Sequence, residues 1–144
     1  MSPDINVLLA ASRSDHPHHI PALTWLESAL EACDKGGTVE ILPMVAVGFL
    51  RIATNPRVFI NATPIDAAIA FLNSLLSAPG VSIPEVGREW PLLKQLCSRD
   101  QFAGNAIPDA WIAAAVRSID SHLVTFDRDF RNLLDRSEVT FLSA

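Results

Sequence analysis

Apolar residues along this chain occur in two textures. Some form short unbroken runs bounded by turn residues, and others recur every three or four positions. Both are clear between Gly104 and Phe130. Pro108 suits the first turn of a helix, where its missing N–H is one of the unpaired donors anyway, and Asp109 beside it is favoured by the positive end of the helix dipole. Ile112, Ala113, Val116 and Ile119 give that helix an apolar stripe, and the small residues Ala113 to Ala115 allow close approach to a sheet. After Asp120-Ser121, the run His122 to Phe126 predicts a short buried strand that stops at Asp127.

The same alternation runs through the rest of the sequence. Pro3 to Asn6 predicts a very short strand, followed by the apolar run Val7 to Ala11. Ala22 to Cys33 is amphipathic, with Trp25, Leu26 and Leu30 as core candidates. Asp34-Lys35-Gly36-Gly37 is a turn signal before a strand over Val39 to Leu42. Pro43 opens an apolar helix, Met44 to Ala53, in which Gly48 permits close packing. Thr63 and Pro64 predict a capped helix start running to Leu76, Val81 to Val86 a strand, Glu89 to Ser98 a helix, and Val139 to Leu142 a last strand. Strands alternating with helices from end to end predict a largely parallel sheet covered on both faces.

Length makes this one domain over residues 1–144, large enough to bury its own core. The apolar runs fall short of the roughly 18 residues of a membrane span, and Met1 to Asp15 lacks the basic start of a signal peptide. Cys33 and Cys97 have no metal-type spacing and read as reduced thiols of a cytoplasmic protein. A net charge of −5 excludes a generic nucleic-acid coating protein. It leaves room for a local basic rim drawn from Arg51, Arg57, Arg128, Arg131 and Arg136.

Chain geometry brings two acids together. A helix of about a dozen residues descends about 18 Å, and about five strand residues climb about 17 Å back. Asp109 and Asp127 therefore return to one level, the carboxyl edge of a parallel sheet, where ligands usually bind. Asp4, at the end of a first strand, falls on the same edge. Converging carboxylates repel unless a cation or a proton is shared, and a hard divalent metal answers that need. The competing reading makes Asp109 a helix-start acid and Asp127 the cap of the segment that follows it. His16, His18 and His19 lie in a Pro-containing loop at a helix start, and are read as surface or capping residues rather than metal ligands.

Asp4-Ile5-Asn6-Val7-Leu8, Gly48-Phe49-Leu50-Arg51, Ile107-Pro108-Asp109-Ala110 and Leu123 to Phe130 together resemble a PIN-domain nuclease, most of all the VapC-type toxins of bacterial toxin–antitoxin pairs. The resemblance covers nearly the whole chain. It implies a three-layer α/β/α sandwich with a mostly parallel five-stranded sheet, a homodimer, Mg²⁺ or Mn²⁺, an RNA substrate and a cognate antitoxin. Carried over by position, it implies that Asp4, Asp109 and Asp127 are catalytic metal-site acids, that Asp129 is an accessory acid, and that Asn6, Thr125 and Arg51 support them. Water activated by metal would then cleave a phosphodiester to a 5′-phosphate and a 3′-hydroxyl.

One departure stands out. The family's usual glutamate in the second helical unit falls on Ala46 or, with shorter spacing, on Gly48, and Glu40 is the nearest acid upstream. That favours an alternative: a catalytically weak PIN-like protein that binds RNA or a partner. A phosphorylation receiver domain fits less well, because paired early acids and a late lysine are missing.

Overall fold

The structure is a computed structural model that describes all residues from Met1 to Ala144. Five short strands, β1 (Ser2–Pro3), β2 (Val39–Glu40), β3 (Val81–Ser82), β4 (Leu123–Thr125) and β5 (Val139–Phe141), form the central layer. β1 pairs with β4, β4 with β5 and β2 with β3, each in parallel. The two groups meet where the Glu40 N–H donates to the Met1 carbonyl at 2.9 Å, while the Met1 ammonium reaches the Glu40 carboxylate at 2.9 Å. The resulting order is β3-β2-β1-β4-β5. Helices cover both faces, giving the α/β/α sandwich with a parallel five-stranded sheet.

That order places a topological switch between β1 and β4. From β1 the chain moves outward to β2 and β3, then returns to β1's other side for β4. Beyond the carboxyl ends of two such strands the connections diverge and leave a crevice. Asp4 directly follows β1, and Asp127 lies just beyond β4.

Helices α1 (Ile5–Ser12), α2 (His19–Cys33), α3 (Pro43–Ala53), α4 (Ile65–Leu76), α5 (Trp90–Asp100) and α6 (Ala106–Ser118) complete the layers. The apolar run Val7 to Ala11 is the body of α1, and the expected strand over Pro3 to Asn6 ends at Pro3. Asp4 turns the chain directly into the helix as its N-cap, accepting the Ile5 N–H at 2.7 Å. Every residue from Val7 to Ala11 is buried, so no polar face marked the helix in the pattern.

Other elements also differ in extent. The strand expected to Val86 stops at Ser82, two residues before Pro84, which has no N–H to give. Thr63 does not cap α4: Pro64 holds that place without a side-chain bond, and the Thr63 hydroxyl instead accepts from Arg13 at 3.1 Å. Gly48 packs so closely on α1 that a Cβ there would come within 2.3 Å of the Ile5 Cδ1 atom. The core runs continuously from α1 through β4 to Ala110 and Ile112 to Val116 of α6, with Phe49 and Phe130 as its largest fully enclosed side chains. No helix is long and apolar enough to cross a membrane. Cys33 and Cys97 are free thiols.

Candidate functional site

Asp4, Asp109, Asp127 and Asp129 lie near enough to one another beyond the carboxyl ends of β1 and β4 for their charges to interact. On the strand side the arrangement is a closed web. Thr125, fully buried at the end of β4, donates its hydroxyl to the Asp4 Oδ2 atom at 2.7 Å. Asn6 donates its amide to the same oxygen at 3.1 Å and accepts the Phe126 N–H at 3.2 Å. The Asp127 N–H then closes on the Thr125 oxygen at 2.9 Å. Asp4 is itself only 5% exposed. Burial raises its pKa above the ordinary carboxylate range, the bonds from Thr125, Ile5 and Asn6 oppose that rise, and the nearby charge of Asp127 adds to it.

Asp127 has two local jobs. Its carboxylate accepts the Asp129 N–H at 2.9 Å, capping a 3₁₀ turn over Arg128–Asn132. The capping role weighed for it from sequence is therefore real, and it coexists with a place at the acid corner. Asp129 follows on that turn, with its side chain exposed.

Asp109 faces this group from the first turns of α6. It takes no hydrogen bond from the protein, and its pKa is pushed up to about 6, first by burial and then by the charges of Asp4, Asp127 and Asp129. The four acids thus act on one another electrostatically. No three of these acids, alone or with a histidine, are arranged as a group that could hold a metal ion. In kind, the donors fit a hard cation: carboxylate oxygens, one of them short of compensating partners.

The three histidines lie apart from these acids. His16 accepts the His18 N–H at 3.0 Å through Nδ1, and the Nδ1 atom of His19 bonds the Ala10 carbonyl at 2.9 Å, tying α2 to α1. His18 stacks on Phe126 at 4.7 Å. All three are half-buried around the start of α2, where His18 holds the N-cap position without a side-chain cap bond and its Nδ1 atom has no partner.

Arg51 is exposed on α3 and lines a cleft of about 380 Å³ with Ile5, Met44, Gly48, Pro108 and Trp111. Ile5 follows Asp4 and Pro108 precedes Asp109, so this cleft adjoins the acids. It also bears on the missing glutamate. Gly48 is on the cleft wall, whereas Ala46 is 8% exposed within the core. The register that puts Gly48 in the glutamate's place is the one that faces the site, and the Ala46 register points into the interior.

One residue of this cleft and its hydrogen-bond partner carried no role in the sequence reading. Trp111 is 38% exposed there, and its indole N–H donates to the Glu89 Oε1 atom at 2.9 Å. The usable signal was a tryptophan set among the alanines of α6. Of the other rim arginines, Arg128 lies over the Phe141 ring at 5.8 Å, while Arg57, Arg131 and Arg136 are on the exposed surface.

The PIN domain family model matches residues 1–134. Ribonuclease VapC31 of Mycobacterium tuberculosis is 38% identical over 128 residues, spanning 88% of each chain. Ribonuclease VapC25 of the same organism is 36% identical over 128 residues, again spanning 88% of each. Among solved structures, the VapBC2 complex from Rickettsia felis bound to a DNA fragment from its promoter superposes with a TM-score of 0.68 at 16% identity, covering 99% of this chain and 98% of that one. The fold is shared with that structure, and by the match over most of its length the chain belongs to the PIN-domain family.

Proposed function

We propose that the chain is a Mg²⁺- or Mn²⁺-dependent endoribonuclease, acting in the cytoplasm as the toxin of a toxin–antitoxin pair. The observation that supports this most is the position of Asp4, Asp109 and Asp127 at the switch point of the sheet, with Asp109 raised to about 6 by burial and by the other acids. The names of the VapC relatives point to the same activity. Asp4, Asp109 and Asp127 would hold the cation, with Asp129 beside them. Bound there, it supplies Lewis acidity toward a water and toward the phosphoryl oxygens of RNA.

The remaining roles belong to the chain itself. Thr125 and Asn6 fix the Asp4 carboxylate, so this acid meets a ligand without reorganising. Asp109 has no such partner, and its charge is the one that a cation relieves. A cation held by Asp4, Asp109 and Asp127 would have coordination positions left for a substrate phosphate oxygen. Arg51, exposed beside the acids, is placed to meet the RNA backbone.

Exposed apolar side chains on α4, namely Ile65 at 50% and Ile69 at 40%, support a homodimer, and a cognate antitoxin would cover part of the same surface. Light scattering at micromolar concentration should give twice the 15.6 kDa chain mass. A purely monomeric mass counts against it.

The activity is tested with purified protein and single-stranded RNA. Cleavage should need Mn²⁺ or Mg²⁺ and fall on the order of 1000-fold in Asp109→Asn. Cleavage that persists in EDTA, or survives that substitution, rejects the reading. A weak nuclease that chiefly binds RNA or a partner remains the second reading, favoured by Gly48 facing the cleft where the family places an acid.

A further inference from the structure

Next to the acid corner, the cleft between α3 and α6 is unlike the polar hollow on the corner's other side, which Asn105, Asp109, Asp129 and Asn132 line. Its walls are Ile5, Met44, Gly48 and Pro108, with one cation, Arg51, at the edge. Trp111 completes it in an unusual state. A tryptophan used only for packing buries its ring, and a solvated one turns freely. Here the indole is fixed at its polar end, because Glu89, only 5% exposed, accepts its N–H at 2.9 Å while also taking the Gly87 N–H. Trp111 as a whole remains 38% exposed and is one of the residues that line the cleft. The opposite wall is kept low by Gly48, where even a Cβ would strike Ile5.

A fixed, open aromatic face in an apolar slot with a cation at its edge suits a flat heteroaromatic ring joined to an anion. Continuity with the acids sets which one. Ile5 and Pro108 are chain neighbours of Asp4 and Asp109, so the slot opens beside the acids, and a nucleotide whose phosphate lies at the acids would be able to extend its base toward it. We propose that Trp111 is a stacking platform for the base adjoining the scissile phosphate, and that it determines which nucleotides the site accepts. This inference rests on the ribonuclease reading above. Stacking on an aromatic side chain tolerates every base yet favours some, so the platform would bias the cleavage position without base-edge hydrogen bonds.

The test measures binding rather than cleavage. Fluorescein-labelled single-stranded RNA is titrated in EDTA at low salt against the Asp109→Asn chain, and against the same chain carrying Trp111→Leu, Trp111→Phe or Trp90→Leu. Trp111→Leu should weaken binding about 5- to 100-fold, Trp111→Phe should restore most of it, and Trp90→Leu should match the parent. An abasic site moved along the RNA adds a readout that a fold defect would not mimic. One position should cost the parent the same factor as Trp111→Leu and cost the Trp111→Leu variant nothing.

Equal affinity of parent and Trp111→Leu, or an abasic penalty that persists in Trp111→Leu, overturns the proposal. So does acrylamide quenching in which a co-purified protein partner shields Trp111 and RNA does not, since the slot then belongs to a protein. Failure of the ribonuclease reading would appear separately, as native chain that cuts no RNA in Mn²⁺.

Discussion

On the strand side of the acid corner, Asp4 is almost completely enclosed and takes hydrogen bonds from Thr125, Asn6 and Ile5; on the helix side, Asp109 is only partly buried and takes none. Both are raised by burial. Only Asp4 has that burial opposed by directed donors, and Asp109 carries the repulsion of the other acids as well. The contrast separates two ways of placing a carboxylate in a protein. One is part of the architecture, and its charge is satisfied internally. The other is held against charges of its own sign, and only a ligand or a proton settles it.

Adding a carboxylate on α3 tests this division most severely. Ala46→Glu puts an acid into the core and should cost about 3 to 5 kcal/mol, with no gain in Mn²⁺ affinity. Gly48→Glu reaches the cleft instead; it must displace the flexible tip of Ile5, costing about 1 to 3 kcal/mol, and should tighten Mn²⁺ binding. Urea denaturation and calorimetric titration of both variants decide it. Tighter binding in Ala46→Glu alone would restore the register rejected here.

Next in size is the strand-side acid. Asp4→Ala leaves the Thr125 hydroxyl, the Asn6 amide and the Ile5 N–H without their acceptor, and should lower stability by about 2 to 3 kcal/mol in urea. Thr125→Val should cost about 1 to 3 kcal/mol, because the Asp127 N–H loses its partner as well. If either variant is as stable as the parent, the web is not what holds this side.

The helix side should respond with the opposite sign and a smaller magnitude. Asp109 has its native pKa raised from 3.8 to about 6. Between those values the native state holds a proton that the unfolded chain has lost. Its contribution to stability is therefore fully present below the unfolded pKa and disappears as pH rises through about 6. At pH 7 without metal, Asp109→Asn should gain about 1 kcal/mol, a value discounted for solvent screening. The gain should vanish near pH 3.5, and thermal melts at the two pH values measure it. Mn²⁺ at about ten times its dissociation constant should stabilise the parent by about 1.4 kcal/mol and the variant by less. A variant that melts below the parent at pH 7 would erase the contrast.

The alternation of elements was legible because it follows from chain geometry, and the same strand and helix rises set Asp109 and Asp127 near enough for their charges to interact. The nature of α1 was not. Val7 to Ala11 is apolar at every position because the helix is enclosed all round, so neither a two-residue nor a 3.6-residue period survives in it. Strand ends were overestimated where Pro84 and the residues after Ser82 continued the alternating pattern without pairing. The web around Asp4 depends on partners more than a hundred positions away, Thr125 among them, and spacing alone carries no trace of that contact. The same holds for Trp111 and Glu89, whose bond is set by how α5 enters beside α6.

That Asp4 ends a strand, starts a helix and stands at the acid corner all at once has a consequence for heredity. On the toxin reading proposed above, clones that survive the chain's activity would carry inactivating changes. Changes at Asp109 would leave a well-made protein that accumulates to full level and would still occupy the proposed antitoxin. Changes at Asp4 would disarm the chain and also send much of it to the proteases, so those clones would be harmless and nearly empty of it. Silenced copies in a lineage should therefore persist as decoys when altered at the helix acid, and fade from the proteome when altered at the strand acid.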